Sequence, residues 1–243
     1  MRMTRASQRT QTIGLLAGMG VRSTGPFLDL IIEECQRQYG ARHETDYPPM
    51  IVYSLPVPFY PHRPVDHDAF RDTVVGGLER LQDTGVDFIA IPCNSAHVYF
   101  DDLERAASVP LLNLVDEAVA SLPDDATTVA LLATRFTRDS RLFQERLEST
   151  GRSVLAGEDA QNAVDGLLAE MGKASDLEPL RQTWRNLLES VARQGADSAL
   201  IACTDLNAVS GPADRDIIPM VDGTRSLASA VVRRWTDGGE RPA

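Results

Sequence analysis

Two cysteines are the residues of this sequence best suited to chemistry. Cys93 and Cys203 each end a short apolar run, and each lies eight residues after the glycine of a Gly-x-Asp triplet. A polar residue follows each of them, Asn94 in one case and Thr204 in the other. A free thiol has a pKa of about 8.5, so a modest environmental shift makes it a useful acid or base. The paired layout favours acid–base catalysis, although either cysteine alone could be a small buried core residue.

The stretches around these cysteines form an internal repeat. Residues 85–95 and 195–205 share one order: glycine, aspartate, apolar strand, cysteine, polar residue. In open parallel sheets the carboxyl ends of strands build the sites, so a pseudo-two-fold axis would bring the two cysteines together. Thiols on opposite faces of one carbon could remove its proton from one side and return a proton to the other. The third cysteine, Cys35, lies within a helical segment and is predicted to be core.

Alternating apolar strands and amphipathic helices predict a parallel α/β architecture. The predicted strands cover residues 12–16, 50–54, 88–92, 111–113, 129–133, 199–202 and 220–221. Helices are predicted to begin near residue 23 and to cover residues 68–83, 98–107, 115–122, 140–149, 160–171, 177–194 and 224–235. We expect two similar domains with mostly parallel four-stranded sheets flanked by helices, related by a pseudo-two-fold axis, with the site in the cleft between them. The first domain would comprise residues 1–115 and 220–243, and the second residues 116–219.

Composition narrows the classes of function. With 43% hydrophobic and 24% charged residues and a net charge of −11, the chain is typical of a globular protein, and the acidic balance disfavours nucleic-acid binding. No apolar segment approaches the roughly 20 residues that a membrane-spanning helix needs, and the polar residues 1–11 do not form a secretory signal. We therefore expect a cytoplasmic protein with no membrane association.

Cofactor and metal motifs are not apparent. The chain has no Cys-x-x-Cys or Cys/His ligand spacing, so no metal is expected. The turn at residues 17–20 is rich in glycine but lacks the Gly-x-Gly-x-x-Gly spacing of dinucleotide sites. We interpret it as a tight turn that lets a substrate approach the backbone. The proline-rich residues 56–64 are predicted to form a site loop.

Four segments, in this order, resemble the pyridoxal-phosphate-independent aspartate/glutamate racemase family. They are Ile13–Gly20, Pro92–His97, Leu131–Thr137 and Ala202–Asp205, and the resemblance extends from Thr12 to Trp235. It implies racemisation of an acidic amino acid, aspartate or glutamate, without a cofactor. Cys93 and Cys203 would be the acid–base pair that transfers protons at Cα. The small amino-acid substrate would be the main partner, and the enzyme would be a homodimer.

The resemblance also implies a set of substrate-binding residues. They are Met19, Arg63, Asn94, Ser95, Ala96, Thr134, Thr137, Lys173 and Thr204. Lys173, the only lysine, and Arg63 could each bind a substrate carboxylate.

Simpler roles remain open for several of these residues. Lys173 could be a solvated lysine at a helix end, and Arg63 a surface loop arginine. Thr134 and Thr137 could cap the helix that follows them. His97 could tune Cys93 or only bond to the backbone at a helix start.

Two departures from the family pattern leave the substrate open. Phe136 stands where glycine is common in the family, and Asp205 stands where glutamate is usual. Two other hypotheses about the function therefore remain open. One is a racemase, epimerase or isomerase acting on another small carboxylic or amino acid, and the other is a non-catalytic protein that binds small acids.

Overall fold

The computed structural model describes residues 10–59 and 64–238 and shows an α/β fold in which strands and helices alternate. The strands are β1 Ile13–Ala17, β2 Met50–Ser54, β3 Phe88–Ala90, β4 Thr128–Ala133, β5 Ser153–Leu155, β6 Ser198–Ala202 and β7 Met220–Asp222. The helices are α1 Thr24–Tyr39, α2 His67–Gln82, α3 Phe100–Ala106, α4 Leu114–Ala120, α5 Arg135–Asp139, α6 Leu142–Ser149, α7 Glu158–Met171, α8 Glu178–Arg193 and α9 Gly223–Gly238. The predicted α/β architecture is confirmed. Two short elements, β5 and α5, were not predicted.

The strands form two parallel sheets, with the orders β2-β1-β3 and β5-β4-β6-β7. The predicted fourth strand of the first sheet, residues 111–113, is only a bridge between Leu111 and Ile89 beside β3. Because all pairings are parallel, the carboxyl ends of the strands in a sheet share one edge. No helix in the described part of the chain is long and apolar enough to cross a membrane.

The Gly-x-Asp repeat has the same structural role in both sheets. Gly85 and Gly195 adopt positive φ angles of 82° and 99° just after α2 and α8. The Asp87 carboxylate accepts the Thr12 N–H at 2.6 Å, just before β1. The Asp197 carboxylate accepts the Thr128 N–H at 3.0 Å, at the start of β4. Each aspartate thus ties a cysteine-bearing strand to the central strand of its sheet.

The end of the chain departs from the predicted arrangement. β7 pairs with β6 in the second sheet, so the expectation that the last strand returns to the first domain is wrong. The helix after it, α9, packs on α1 and α4. The apolar Val221 in β7 and Leu227 in α9 belong to the same core, which explains why the strand and its helix remain together. The division of the chain into domains stays a prediction.

One hydrophobic core connects the two sheets. Ile13 of β1 and Val129 of β4 belong to the same buried cluster, together with residues of α1, α4 and α9. Cys35 is fully buried in this cluster, which confirms its predicted place in the core. The opposite face of each sheet has its own core, built with α2 in the first case and with α7 and α8 in the second. The relative position of the two sheets therefore depends on packing as well as on chain connections.

Candidate active site

The two predicted catalytic cysteines occupy equivalent places. Cys93 follows β3 and Cys203 follows β6, each beyond the carboxyl end of a parallel strand. Both are free thiols, and each is only 6% exposed. A short 3-10 helix begins just after each cysteine, at Ser95 in the first sheet and at Thr204 in the second.

Backbone N–H groups face both sulfur atoms in the same pattern. The N–H groups of Ser95 and Ala96 point to the Cys93 thiol and lower its pKa. Those of Asp205 and Leu206 do the same for Cys203. In both turns the donors come from the second and third residues after the cysteine. Such donors stabilise a thiolate, so each turn is suited to hold sulfur in its charged form.

Burial nevertheless dominates the acidity of both thiols. It raises the pKa of Cys93 to about 11 and, reinforced by the charge of Asp205, that of Cys203 to about 12. Asp205 also acts on Cys93, and the charge of Cys93 further raises the pKa of Cys203. These charge effects act between the two cysteine turns, which follow β3 of one sheet and β6 of the other. Both pKa values lie above neutral pH, so burial keeps both thiols protonated there.

Asp205 and Arg22 are members of this region that the sequence did not predict. Arg22 lies in the turn after β1, and this turn contacts the 3-10 helix Thr204–Ala208. Desolvation raises the pKa of Asp205, whereas the charge of Arg22 lowers it. The position of Asp205, two residues after Cys203, was the available signal. Nothing in the sequence indicated Arg22, because Asp205, on which its charge acts, lies far away in the chain.

Three hydroxyl groups connect the first cysteine turn with α5. Ser95 Oγ lies 3.1 Å from Thr137 Oγ1, and Thr134 Oγ1 donates to Thr137 Oγ1 at 3.0 Å. Thr134 Oγ1 also accepts the Thr137 N–H at 3.2 Å and so caps α5. The capping role considered for Thr134 is confirmed. Thr137 goes further, because its side chain reaches across to the Cys93 turn.

Asn94 has a buried acceptor that lacks a donor. Its side chain is only 5% exposed, and no donor among the described residues reaches Asn94 Oδ1. An unsatisfied buried carbonyl oxygen costs about 1–3 kcal/mol. A ligand with an N–H group placed beside Cys93 would remove this cost.

His97 positions the backbone of the first cysteine turn. Its Nδ1–H donates to the Cys93 carbonyl at 2.8 Å, and its Nε2 accepts the Leu114 N–H at 3.1 Å. Burial lowers the pKa of His97, so the ring is neutral and both nitrogens are used. Both hydrogen bonds of His97 are made with backbone groups, which is the second of the two roles considered for this residue.

The other predicted residues are placed differently. Met19 and Ala96 are buried in the same apolar cluster as Cys93, and Thr204 is half-buried. The side chain of Lys173 is 71% exposed and its Nζ pairs with Glu170 at 3.0 Å, so its charge faces solvent and a carboxylate near the end of α7. Arg63 lies outside the described residues.

The glycine turn brings two backbone segments together. Gly18 has a φ of 91°, and a Cβ there would lie 2.5 Å from the Leu55 nitrogen. Leu55 in turn donates its N–H to Ala17 at 2.9 Å. Glycine is therefore required for close packing against the chain itself. The close packing alone explains the glycine, so the approach of a substrate to this backbone stays a prediction.

Two parallel α/β sheets with a cysteine turn at the same edge of each define a two-domain racemase architecture. The sequence profile of the Asp/Glu/Hydantoin racemase family matches residues 16–231. The chain belongs to this family, and it is an amino-acid racemase, which is a type of isomerase. The resemblance found in the sequence motifs is thereby confirmed.

Known relatives agree with this assignment. The broad specificity amino-acid racemase RacX of Bacillus subtilis (strain 168) is 41% identical over 223 residues, which cover 92% of this chain and 97% of the relative. The structure of Picrophilus torridus aspartate racemase matches with a TM-score of 0.78 at 23% identity, covering 93% of this chain and 94% of that one. Glutamate racemase isoform RacE1 from Bacillus anthracis matches with a TM-score of 0.71 at 16% identity, covering 96% and 85%. These two structural matches establish the fold.

Proposed function

We propose that the enzyme inverts the Cα stereocentre of aspartate or glutamate by proton transfer between Cys93 and Cys203, without a cofactor. The observation that carries this proposal is the pair of buried cysteine turns in equivalent places after β3 and β6, with the charge of Cys93 acting on Cys203. One thiolate removes the Cα proton and becomes a thiol. The opposite thiol donates its proton to the other face of the carbanion and becomes a thiolate. The reverse reaction exchanges the two roles, so no proton is gained or lost overall.

Substrate binding would itself generate the reactive thiolate. Burial keeps both thiols of the free enzyme protonated at neutral pH. The ammonium group of an amino acid brings a positive charge that favours an adjacent thiolate, as do the N–H groups of Ser95 and Ala96. We place this ammonium against Asn94 Oδ1, the buried acceptor without a donor. The hydroxyls of Ser95, Thr134, Thr137 and Thr204 would hold the α-carboxylate.

The acidic side chain requires a further cation. The family description, which names Asp and Glu, supports an acidic substrate. Lys173 and Arg63 are the proposed partners of the carboxylates, but Lys173 would first have to leave Glu170. Arg22 is a third candidate because its charge already acts on Asp205 beside the cysteines.

Hydrogen exchange at Cα tests the mechanism directly. Incubation with L-aspartate or L-glutamate in deuterated water should yield the D-enantiomer with deuterium at Cα. Cys93→Ala and Cys203→Ala should each lower net racemisation by at least about 10²–10⁴-fold, the usual effect of removing a general acid or base. Each variant should still exchange the proton of a single enantiomer.

Cys35→Ala is the matched control because Cys35 lies in the core and away from both turns. It should racemise at a rate close to that of the unchanged enzyme at a temperature where it remains folded. Normal turnover by either active-site variant would disprove the two-base mechanism. Absence of exchange with every amino acid would disprove racemisation.

We also propose that the enzyme is a cytoplasmic homodimer that does not bind nucleic acid. The homodimer is what the resemblance implies, and the net charge of −11 supports the lack of nucleic-acid binding. Sedimentation at several concentrations should give a single species of twice the chain mass.

A further inference from the structure

Five aromatic rings form a cluster that spans the two sheets. Phe136 belongs to α5 after the second sheet's β4, whereas Phe59, His67, Phe70 and Tyr99 come from segments around the first sheet. The centroid of Phe136 lies 5.6 Å from that of His67, 6.3 Å from that of Phe59 and 6.4 Å from that of Phe70. We refer to these five residues as the aromatic wall.

The wall is held firmly on the side of the first sheet. The rings of Phe70 and Tyr99 are buried, with centroids 5.6 Å apart. The Tyr99 hydroxyl lies 2.9 Å from His67 Nδ1, which fixes the ring of His67 beside Phe136. Phe59 and Phe136 are only half-buried and therefore keep ring surface available for contact.

The wall adjoins the cysteine site. Phe136 lies between Thr134 and Thr137 in the chain, and the Thr137 hydroxyl reaches Ser95 in the Cys93 turn. The Phe136 side chain packs on the apolar cluster that includes Met19 and Cys93. A substrate with its Cα near Cys93 therefore has this wall within reach of its side chain.

Within residues 10–59 and 64–238, the wall offers apolar surface and little positive charge. Arg71, the described cation that acts on Tyr99, is already paired with Asp68 and Asp72. A carboxylate placed against these rings would lose hydration without gaining a counterion from the described residues, which is unfavourable. An apolar side chain would instead be stabilised by burial and by contact with the rings.

We propose that the aromatic wall lets this enzyme racemise amino acids with large apolar side chains, with Phe136 as the residue that determines this specificity. The inference rests on the proposed function because it uses the same cysteine pair. Acidic side chains would gain nothing from these rings and would pair with a cation of the site, whereas leucine, methionine and phenylalanine side chains would lie on Phe136 and Phe59.

A substrate series on the unchanged enzyme provides the first test. Cα exchange in deuterated water would be measured for alanine, leucine, methionine, phenylalanine and aspartate. The wall predicts kcat/KM values for the three large apolar substrates at least about tenfold above that of alanine, since each offers several buried carbon atoms. Values equal to or below that of alanine would overturn the inference without requiring any variant to fold.

Variants of Phe136 provide the second test. Phe136→Ala should lower the ratio of kcat/KM for leucine to that for aspartate by about tenfold or more. Phe136→Leu keeps apolar volume and should restore most of this ratio. Tyr47→Ala removes a half-buried ring that packs on the core shared by the sheets, and it should leave the ratio unchanged. A ratio that does not move in Phe136→Ala would overturn the role of Phe136.

The outcomes separate this inference from the proposed function. Exchange of aspartate without exchange of leucine, methionine or phenylalanine would overturn the inference and leave acidic-substrate racemisation intact. Net racemisation of the apolar substrates that survives in both Cys93→Ala and Cys203→Ala would overturn the two-base mechanism. Loss of net racemisation in both variants, together with the predicted ratio in Phe136→Ala, would support both proposals.

Discussion

The acidity of the two cysteines results from opposing effects at single residues. Burial raises both pKa values, the carboxylate of Asp205 raises them further, and the backbone N–H groups beside each sulfur lower them. The charge of Asp205 is the second largest cause of the pKa shift of Cys203, but only a minor cause of the pKa shift of Cys93. The two thiols are thus unequal, and in the mechanism we propose the substrate produces the single thiolate that catalysis needs.

The pH dependence of catalysis follows from these pKa values. In the mechanism we propose, the free enzyme must lose one thiol proton, and the lower of the two cysteine pKa values is about 11. Below that value the thiolate fraction rises about tenfold per pH unit, so kcat/KM should rise steeply from about pH 6.5 to about pH 8.5. Asp205→Asn removes a charge that raises both pKa values, so it should move this rise to lower pH. Initial rates of D-amino-acid formation across this range provide the measurement.

One control variant and two contrary outcomes complete the pH experiment. Asp101→Asn changes a carboxylate on the exposed face of α3, and it should leave the profile in place. A profile of the unchanged enzyme that is flat over this range would show that a thiol is already ionised in the free enzyme, contrary to the burial described. A shift of Asp205→Asn to higher pH would contradict the sign of the charge effect.

At the scale of elements, α5 links the two sheets beside the site. This five-residue helix begins at the cap formed by Thr134 and presents Thr137 to the first cysteine turn and Phe136 to the aromatic wall. Its first turn therefore combines polar contacts near Cys93 with an apolar contact further out. A short helix can do this because its consecutive residues point in different directions.

Thr137→Val tests the link made by α5. Valine keeps the shape of the fully buried threonine but removes its hydroxyl, which leaves the Ser95 and Thr134 hydroxyls without this partner. We expect the free energy of unfolding to fall by about 1–3 kcal/mol and KM for the amino acid to rise. Denaturant titration and steady-state kinetics measure the two effects.

The matched control is Thr236→Val, since the Thr236 hydroxyl donates only to the Arg233 carbonyl on the exposed side of α9. It should change the free energy of unfolding by less than about 0.5 kcal/mol and leave KM unaffected. Equal effects of the two substitutions would show that the link between the sheets has no special importance.

At the scale of the whole molecule, the two sheets are repeated units joined by one core. Gly85 and Gly195 both adopt positive φ angles, and Asp87 and Asp197 both bond to the start of a central strand. The shared core includes residues of β1, β4 and α9. This shared packing holds the two sheets together, because separating them would expose part of that core.

Glycine substitutions test how the repeat supports the fold. A Cβ at Gly195 would meet no atom within 4 Å, so Gly195→Ala adds only the backbone strain of its positive φ. We expect a loss of about 1–2 kcal/mol in the free energy of unfolding. Gly166, within α7, also has open space around its Cβ position, but no positive φ was found there. Gly166→Ala should therefore stabilise the protein by about 0.5–1 kcal/mol, as alanine favours a helix interior.

Denaturant unfolding of both variants at one pH would measure these changes. A stabilised Gly195→Ala variant would contradict the left-handed conformation of this turn. Destabilisation by Gly166→Ala to the same degree as Gly195→Ala would show that any added methyl group is harmful.

Local patterns were sufficient to predict much of the fold. Strand β2 was predicted with its observed limits, and the buried strands around Cys93 and Cys203 were placed within about two residues. Apolar periodicity and the Gly-x-Asp repeat are local signals, which is why they can be read from neighbouring residues. The short elements β5 and α5 were not predicted, because a segment of three to five residues is too short to show a hydrophobic periodicity.

The sequence by itself determined the two-sheet α/β class, the two cysteine turns and, through its motifs, the racemase family. Only the tertiary structure decided that β7 joins the second sheet, that Lys173 faces Glu170, and that Asp205 and Arg22 lie near the thiols. It also assembled the aromatic wall, in which Phe59 meets Phe136. The physical reason is that each of these contacts joins segments far apart in the chain. Which of them meet depends on how the sheets and helices pack around their shared core.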